Sequence, residues 1–154
     1  MKKLNYLLGL GALVVLLFAS GCGDDDTTVD PEAEQLAKMT ATWTIDANDE
    51  STVTFKGDNS VHSDFAGMTL TIDGNKNYQT SGADSDRPEV WATSGSFEFE
   101  SGSIQRIIRD GKVPVDIVFN GDASTMTLTF ELTDSNTGGR LDGFVGTWVF
   151  KFSK

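Results

Sequence analysis

Met126, Leu128, Phe130 and Leu132 alternate with Thr125, Thr127, Thr129 and Glu131. A repeat of two sends successive side chains to opposite faces of an extended strand, so this stretch has one dry and one wet side. The same alternation runs through Ala41, Trp43 and Ile45, through Val53 and Phe55, and through Met68, Leu70 and Ile72. It returns in Phe97 and Phe99, in Val113, Val115, Ile117 and Phe119, and in Trp148, Phe150 and Phe152. Asp73-Gly74, Asp110-Gly111 and Asn120-Gly121 supply turn signals between these runs. Val90-Trp91 reads as a further short strand, with Ser94-Gly95 as the bend that follows it. Pro114 lacks a ladder donor and predicts an edge strand or a bulge.

About nine or ten strands result, joined mostly by short loops. Such loops force antiparallel neighbours, because a parallel pair needs a connection of about a dozen residues or more. One apolar face per strand must be buried against another sheet or by closure of the sheet on itself. The predicted class is all-β, an antiparallel up-and-down barrel of about 8–10 strands, with a two-sheet β-sandwich as the alternative.

A different pattern occupies the N-terminus. Met1-Lys2-Lys3 is a short positive stretch, and the apolar run Leu7 to Phe18 is too short to cross a ~30 Å hydrocarbon core comfortably. Ala19, Ser20 and Gly21 precede Cys22, the single cysteine of the chain. This arrangement resembles the lipobox of bacterial lipoproteins, which implies removal of residues 1–21 and acylation of Cys22 by palmitate-like chains. The plainer reading is a secretory signal peptide followed by a chance cysteine. Acylation accounts for an unpaired cysteine in an exported chain. It also supplies an anchor without a transmembrane helix, at ~0.8 kcal/mol per buried CH₂. Asp24, Asp25 and Asp26 resemble the acidic export signal of Bacteroidetes lipoproteins, which implies the outer membrane and the cell surface. A solvated linker on a periplasmic protein is the alternative.

Removing residues 1–21 takes away Lys2 and Lys3 and no acid, so the net charge moves from −11 to −13. That sign repels phosphate backbones and argues against a nucleic-acid partner. Residues 22–35 then form a lipidated acidic tether, and residues 36–154 a single β domain. Asp30-Pro31-Glu32-Ala33-Glu34 carries the signals of a helix start and predicts a short helix to about Lys38, burying Leu36 and Met39.

Little in the chain points to catalysis. His62, the only histidine, lies in the polar stretch Ser60-Val61-His62-Ser63-Asp64, and no Gly-x-Ser-x-Gly elbow occurs. One histidine and one acylated cysteine do not make a structural zinc set. Asp134-Ser135-Asn136-Thr137-Gly138 and Asp84-Ser85-Asp86 offer oxygen ligands at alternate positions, but neither completes a calcium loop. Paired carboxylates for glycoside hydrolysis need a set separation across a cleft, and solvated acids are the ordinary explanation for acids in an acidic chain. The expectation is a non-enzymatic protein with no cofactor and no metal.

The segment Leu36-Ala37-Lys38-Met39-Thr40-Ala41-Thr42-Trp43 resembles the opening strand of lipocalin-like domains in Bacteroidetes lipoproteins. Phe65 to Ile72 with Asn77-Tyr78 resembles their second hairpin. Val90-Trp91, Ser94-Gly95-Ser96-Phe97 and Gly146-Thr147-Trp148-Val149-Phe150 follow in the same order. The resemblance covers about residues 36–152 and implies a small β-barrel or a barrel-like sandwich, with no catalytic residue to carry over. Trp43, Trp91, Trp148 and Tyr78 are the candidate ligand-binding residues for a small apolar molecule or a glycan. Trp43 and Trp148 lie in phase with apolar neighbours and equally suit core packing, whereas Trp91 is expected to be exposed. A structural accessory role is the alternative, with envelope proteins as partners and an exposed apolar patch or the Pro114 strand as the contact.

Overall fold

A computed structural model describes residues 29–82, 88–137 and 143–154. The signal segment 1–21, Cys22 and Asp24, Asp25 and Asp26 lie outside the described residues. The chain begins with helix α1 (Pro31–Met39), and its start follows the sequence signals closely. Asp30 accepts from the Glu32 N–H at 3.0 Å, Pro31 opens the helix without a wasted donor, and Glu34 pairs with Lys38 one turn later at 2.8 Å. Both the N–H and the Oγ1 of Thr40 turn back to the Leu36 carbonyl and close the last turn. The helix buries Met39 and Gln35, while Leu36, expected inside, is only half-buried.

The strands are β1 (Thr42–Thr44), β2 (Val53–Phe55), β3 (Thr69–Ile72), β4 (Asn77–Ser81), β5 (Ser94–Phe99), β6 (Arg106–Arg109), β7 (Val113–Phe119), β8 (Thr125–Leu132) and β9 (Gly146–Ser153). A short helix α2 (Asp134–Thr137) follows β8. Every pairing is antiparallel, and from β3 to β9 each strand pairs with the next in sequence. β1 pairs with β3 on one side and meets β9 on the other through Thr44 and Ser153. β2 lies further along the same strand, with Val53 opposite Phe150 and Phe55 opposite Trp148. β1 and β2 are therefore one interrupted stave, and the sheet closes as an eight-stranded up-and-down barrel. Barrel rather than sandwich is the outcome.

Inward positions carry the predicted alternation. Trp43, Leu70, Ile117, Met126, Leu128, Trp148, Phe150 and Phe152 are all essentially inaccessible to water. Eight strands enclose a lumen just wide enough for side chains to fill, and here the aromatics fill it. Closure is also why Pro114 departs from expectation. β7 is paired on both sides, so no edge is available to it. The Ile117 N–H bonds to the carbonyl of Gln105, just before β6, and the repeat of two turns the Pro114 nitrogen toward β8. Pairing with β8 begins only at Val115, so the missing donor falls just beyond the ladder.

Antiparallel alternation gives the barrel two unlike ends. At the tether end lie α1, the hairpin loops 73–76, 100–105 and 120–124, and the C-terminal Lys154. At the opposite end lie the excursion 56–68, the connection between β4 and β5, the β6–β7 turn and the connection between β8 and β9, while 45–52 interrupts the first stave part-way along β9. Asp110-Gly111 forms the predicted tight turn, with φ of 52° and 67°. Asp73-Gly74 and Asn120-Gly121 do sit in hairpins, but the loops are longer. The left-handed residues are Lys76 and Ala123, and Asp73 accepts from the backbone of Asn75 and Asn77.

Candidate binding site at the loop end of the barrel

Val90-Trp91 is not a strand. It belongs to the loop before β5, and Ser94-Gly95, expected as a bend, is the start of β5 itself. Freed from any ladder, the loop turns Val90 and Trp91 into the lumen, where Trp91 keeps only 4 % of its surface. The expectation of an exposed Trp91 is thus corrected: an indole at the mouth of an apolar lumen removes more surface from water by plugging it than by standing outside. Its ring packs against Tyr78, Phe130, Phe150 and Phe152.

Arg109 closes this layer. It is the last residue of β6 and points inward, in phase with Ile107, so its side chain enters the lumen and is 4 % exposed. The guanidinium carbon sits 4.4 Å from the Trp91 ring centre and 4.7 Å from that of Phe130. Burial pushes the Arg109 guanidinium down from its usual value, and nearby Tyr78 and Asp110 oppose that shift. Its closest counter-charge, Asp110 Oδ2, is 3.8 Å from Nε, beyond hydrogen-bond length.

Asp110 is held elsewhere. Its Oδ2 accepts from the Tyr78 hydroxyl at 2.6 Å, and its Oδ1 accepts from the Ser96 N–H at 3.1 Å. Burial, followed by the hydrogen bond to Asp110, pushes the Tyr78 phenol well above its usual value. Gly95 makes this pairing possible. A Cβ at that position would fall 2.1 Å from Asp110 Oδ1 and 2.5 Å from the Tyr78 hydroxyl.

Beside Arg109 lies a recess of about 210 Å³ lined by Pro88, Glu89, Ala92, Asp110, Lys112 and Val113. A larger open groove of about 520 Å³ runs over the outer wall between β6 and β9, but the Arg106–Asp116 ion pair lies along it.

The four candidate binding residues therefore separate. Tyr78 and Trp91 come together, with ring centres 6.1 Å apart. Trp43 lies toward the tether end, where its Nε1 donates to the Met39 carbonyl at 2.8 Å and Lys154 lies over its ring. Trp148 donates to the Phe144 carbonyl at 3.1 Å and stacks on Phe55. Both are core tryptophans with satisfied N–H groups. Arg109 and Asp110 were not singled out by the sequence reading. The available signal was an arginine sharing the parity of Ile107 immediately before the Asp110-Gly111 turn.

The polar stretch around His62 forms a 3-10 turn. His62 is buried, and its Nε2 lies 3.0 Å from the Asp46 carbonyl, tying the two excursions of the interrupted stave together. Asp84, Ser85 and Asp86 lie outside the described residues. Asp134 to Thr137 forms α2, and among the described residues no three His, Cys, Asp or Glu side chains gather as a metal site would need. No helix among the described residues is long and apolar enough to cross a membrane. No family model, curated protein or solved structure matches this chain.

Proposed function

We propose that this chain is a lipocalin-like lipoprotein, acylated at Cys22 and held at the outer membrane, whose barrel acts as a non-enzymatic binding module. The unlike ends of the barrel carry this reading. The chain enters from the tether at the end closed by α1, while the irregular connections and the recess beside Arg109 lie at the other end. An anchor at one end leaves the opposite mouth free to meet a small molecule or a glycan. Because aromatic side chains occupy the lumen, the ligand sits at the mouth and not deep inside. Asp24, Asp25 and Asp26 support presentation at the cell surface, with the periplasmic face as the alternative.

Metabolic labelling with a palmitate analogue, combined with an impermeant protease on intact cells, tests the placement. Labelling that disappears in Cys22→Ala, and a domain shaved from unbroken cells, are expected. Cleavage only after lysis would move the module to the periplasm, and absence of label would remove the anchor.

A second reading, an accessory subunit that contacts other envelope proteins, is favoured by Val118 and Ile104. Both are exposed apolar residues beside one groove near the tether end, and Val118 is 65 % exposed. A photo-crosslinker at position 118 that captures no stoichiometric protein in whole envelopes would dispose of it.

A further inference from the structure

We propose that the loop end of the barrel binds a small organic acid, whose carboxylate is held by Arg109 beside the indole N–H of Trp91. The inference rests on the binding-module reading and names the class of ligand.

Buried polar groups in folded proteins are almost always hydrogen-bonded, and each exception calls for a cause. Among the described residues the buried side-chain polar atoms without a partner are Trp91 Nε1, Arg109 Nε and Arg109 Nη1. They belong to two side chains stacked on each other. All are donors, and none is an acceptor. Elsewhere among the described residues, buried polar side chains find partners: the Trp43 and Trp148 indoles reach carbonyls, and His62 and Thr52 do the same. The imbalance is local.

Magnitudes argue against the stack being its own reward. A cation over an aromatic face is worth ~0.5–2 kcal/mol. Leaving a buried donor unpaired costs ~1–3 kcal/mol, and more when the group is charged. The two rings that hold Arg109 therefore do not offset the donors they bury. Asp110 does not supply the remainder, since its Oδ2 lies 3.8 Å from Nε, beyond hydrogen-bond length, and its carboxylate is oriented by Tyr78 and Ser96. An anionic acceptor entering by the recess that Arg109 lines would satisfy the guanidinium, which is the group best shaped to take a carboxylate.

The recess narrows the choice. At about 210 Å³ it is smaller than the ~300–1,000 Å³ of drug-sized pockets. Its lining sets two cations, Arg109 and Lys112, against two acids, Glu89 and Asp110, and so holds no surplus of positive charge for a doubly charged phosphate. Pro88, Ala92 and Val113 give an apolar surface for a compact carbon body. A monocarboxylic acid with a small apolar body meets each condition.

Benzoate and its neutral isostere benzamide are the probes, titrated calorimetrically into the full chain in detergent micelles. Benzoate is expected to bind at least about tenfold more tightly than benzamide. Arg109→Gln should abolish the preference, and Lys112→Gln at the rim should weaken benzoate about two- to fivefold. Should Arg109→Gln fail to fold, Trp91→Phe keeps the aromatic plug, removes one donor and should weaken benzoate about three- to tenfold. Equal affinity for the two probes, or no binding of either up to about 10 mM, would overturn the proposal. A chain that binds a neutral oligosaccharide but neither probe would overturn the acid site and leave the binding module standing. A chain that binds none of the three would count against both.

Discussion

Trp43 and Trp91 are both indoles buried in one lumen, yet they sit there on different terms. Trp43 belongs to a paired strand, donates to the Met39 carbonyl and is roofed by a helix whose own ends are capped. Trp91 comes from an unpaired loop, leaves its N–H unsatisfied and shields an arginine that is also short of acceptors. The tether end is thus built for stability, with local polar groups closed among themselves. The loop end keeps a surplus of donors at the mouth. Features that stabilise a fold and features that bind a ligand differ in this way: the first are satisfied from within, and the second wait for a partner.

Substitutions can break that comparison. The largest effect is expected for Trp43→Ala, a loss of about 3–5 kcal/mol in urea unfolding, because a closed end cannot collapse around the cavity. Trp91→Ala should lose only about 1–3 kcal/mol, since opening the mouth admits water to Arg109 and relieves its unpaired donors. If the two losses are equal, the ends are energetically alike and the contrast fails.

Gly95→Ala comes next, at about 1–3 kcal/mol, by driving a methyl group into the Tyr78–Asp110 pair. A variant as stable as the parent would show that this pair does not need the close approach of β5.

The Phe replacements sharpen the indole comparison further. Trp43→Phe and Trp91→Phe delete the same atoms, but only the first breaks a hydrogen bond and strands the Met39 carbonyl. The first should therefore be the more destabilising by about 1–2 kcal/mol.

The smallest effect is a slope in pH. The folded state raises the Tyr78 phenol above its unfolded value of 10.0, so above that pH the unfolded chain has lost a proton that the folded chain keeps. Stability should be intact below pH 10 and fall as pH rises beyond it. Tyr78→Phe should flatten that part of the profile, and an unchanged slope would mean that Tyr78 ionises freely.

Much of the architecture was legible because strand alternation is local and binary. Met126 to Leu132 and Trp148 to Phe152 showed their inward faces in the sequence, and Asp30-Pro31 announced α1. Closure was legible only as a choice, since the Thr44–Ser153 contact joins residues from opposite ends of the domain. Val90-Trp91 misled for a physical reason. Two apolar residues in a row read as a strand, but a loop capping a barrel buries them just as well. The candidate site was half visible: Tyr78 and Trp91 were chosen as aromatics, while Arg109 was passed over. A charged residue at an inward position looks like any surface arginine until its parity is compared with that of Ile107.

The central claim is that the donors of Trp91 and Arg109 await an anion while the satisfied indoles of Trp43 and Trp148 do not. The most direct test follows the three tryptophan indole N–H signals of the ¹⁵N-labelled full chain by NMR as benzoate is added. The account predicts that the Trp91 signal moves and saturates while those of Trp43 and Trp148 stay in place. A Trp91 signal as still as the other two would contradict it.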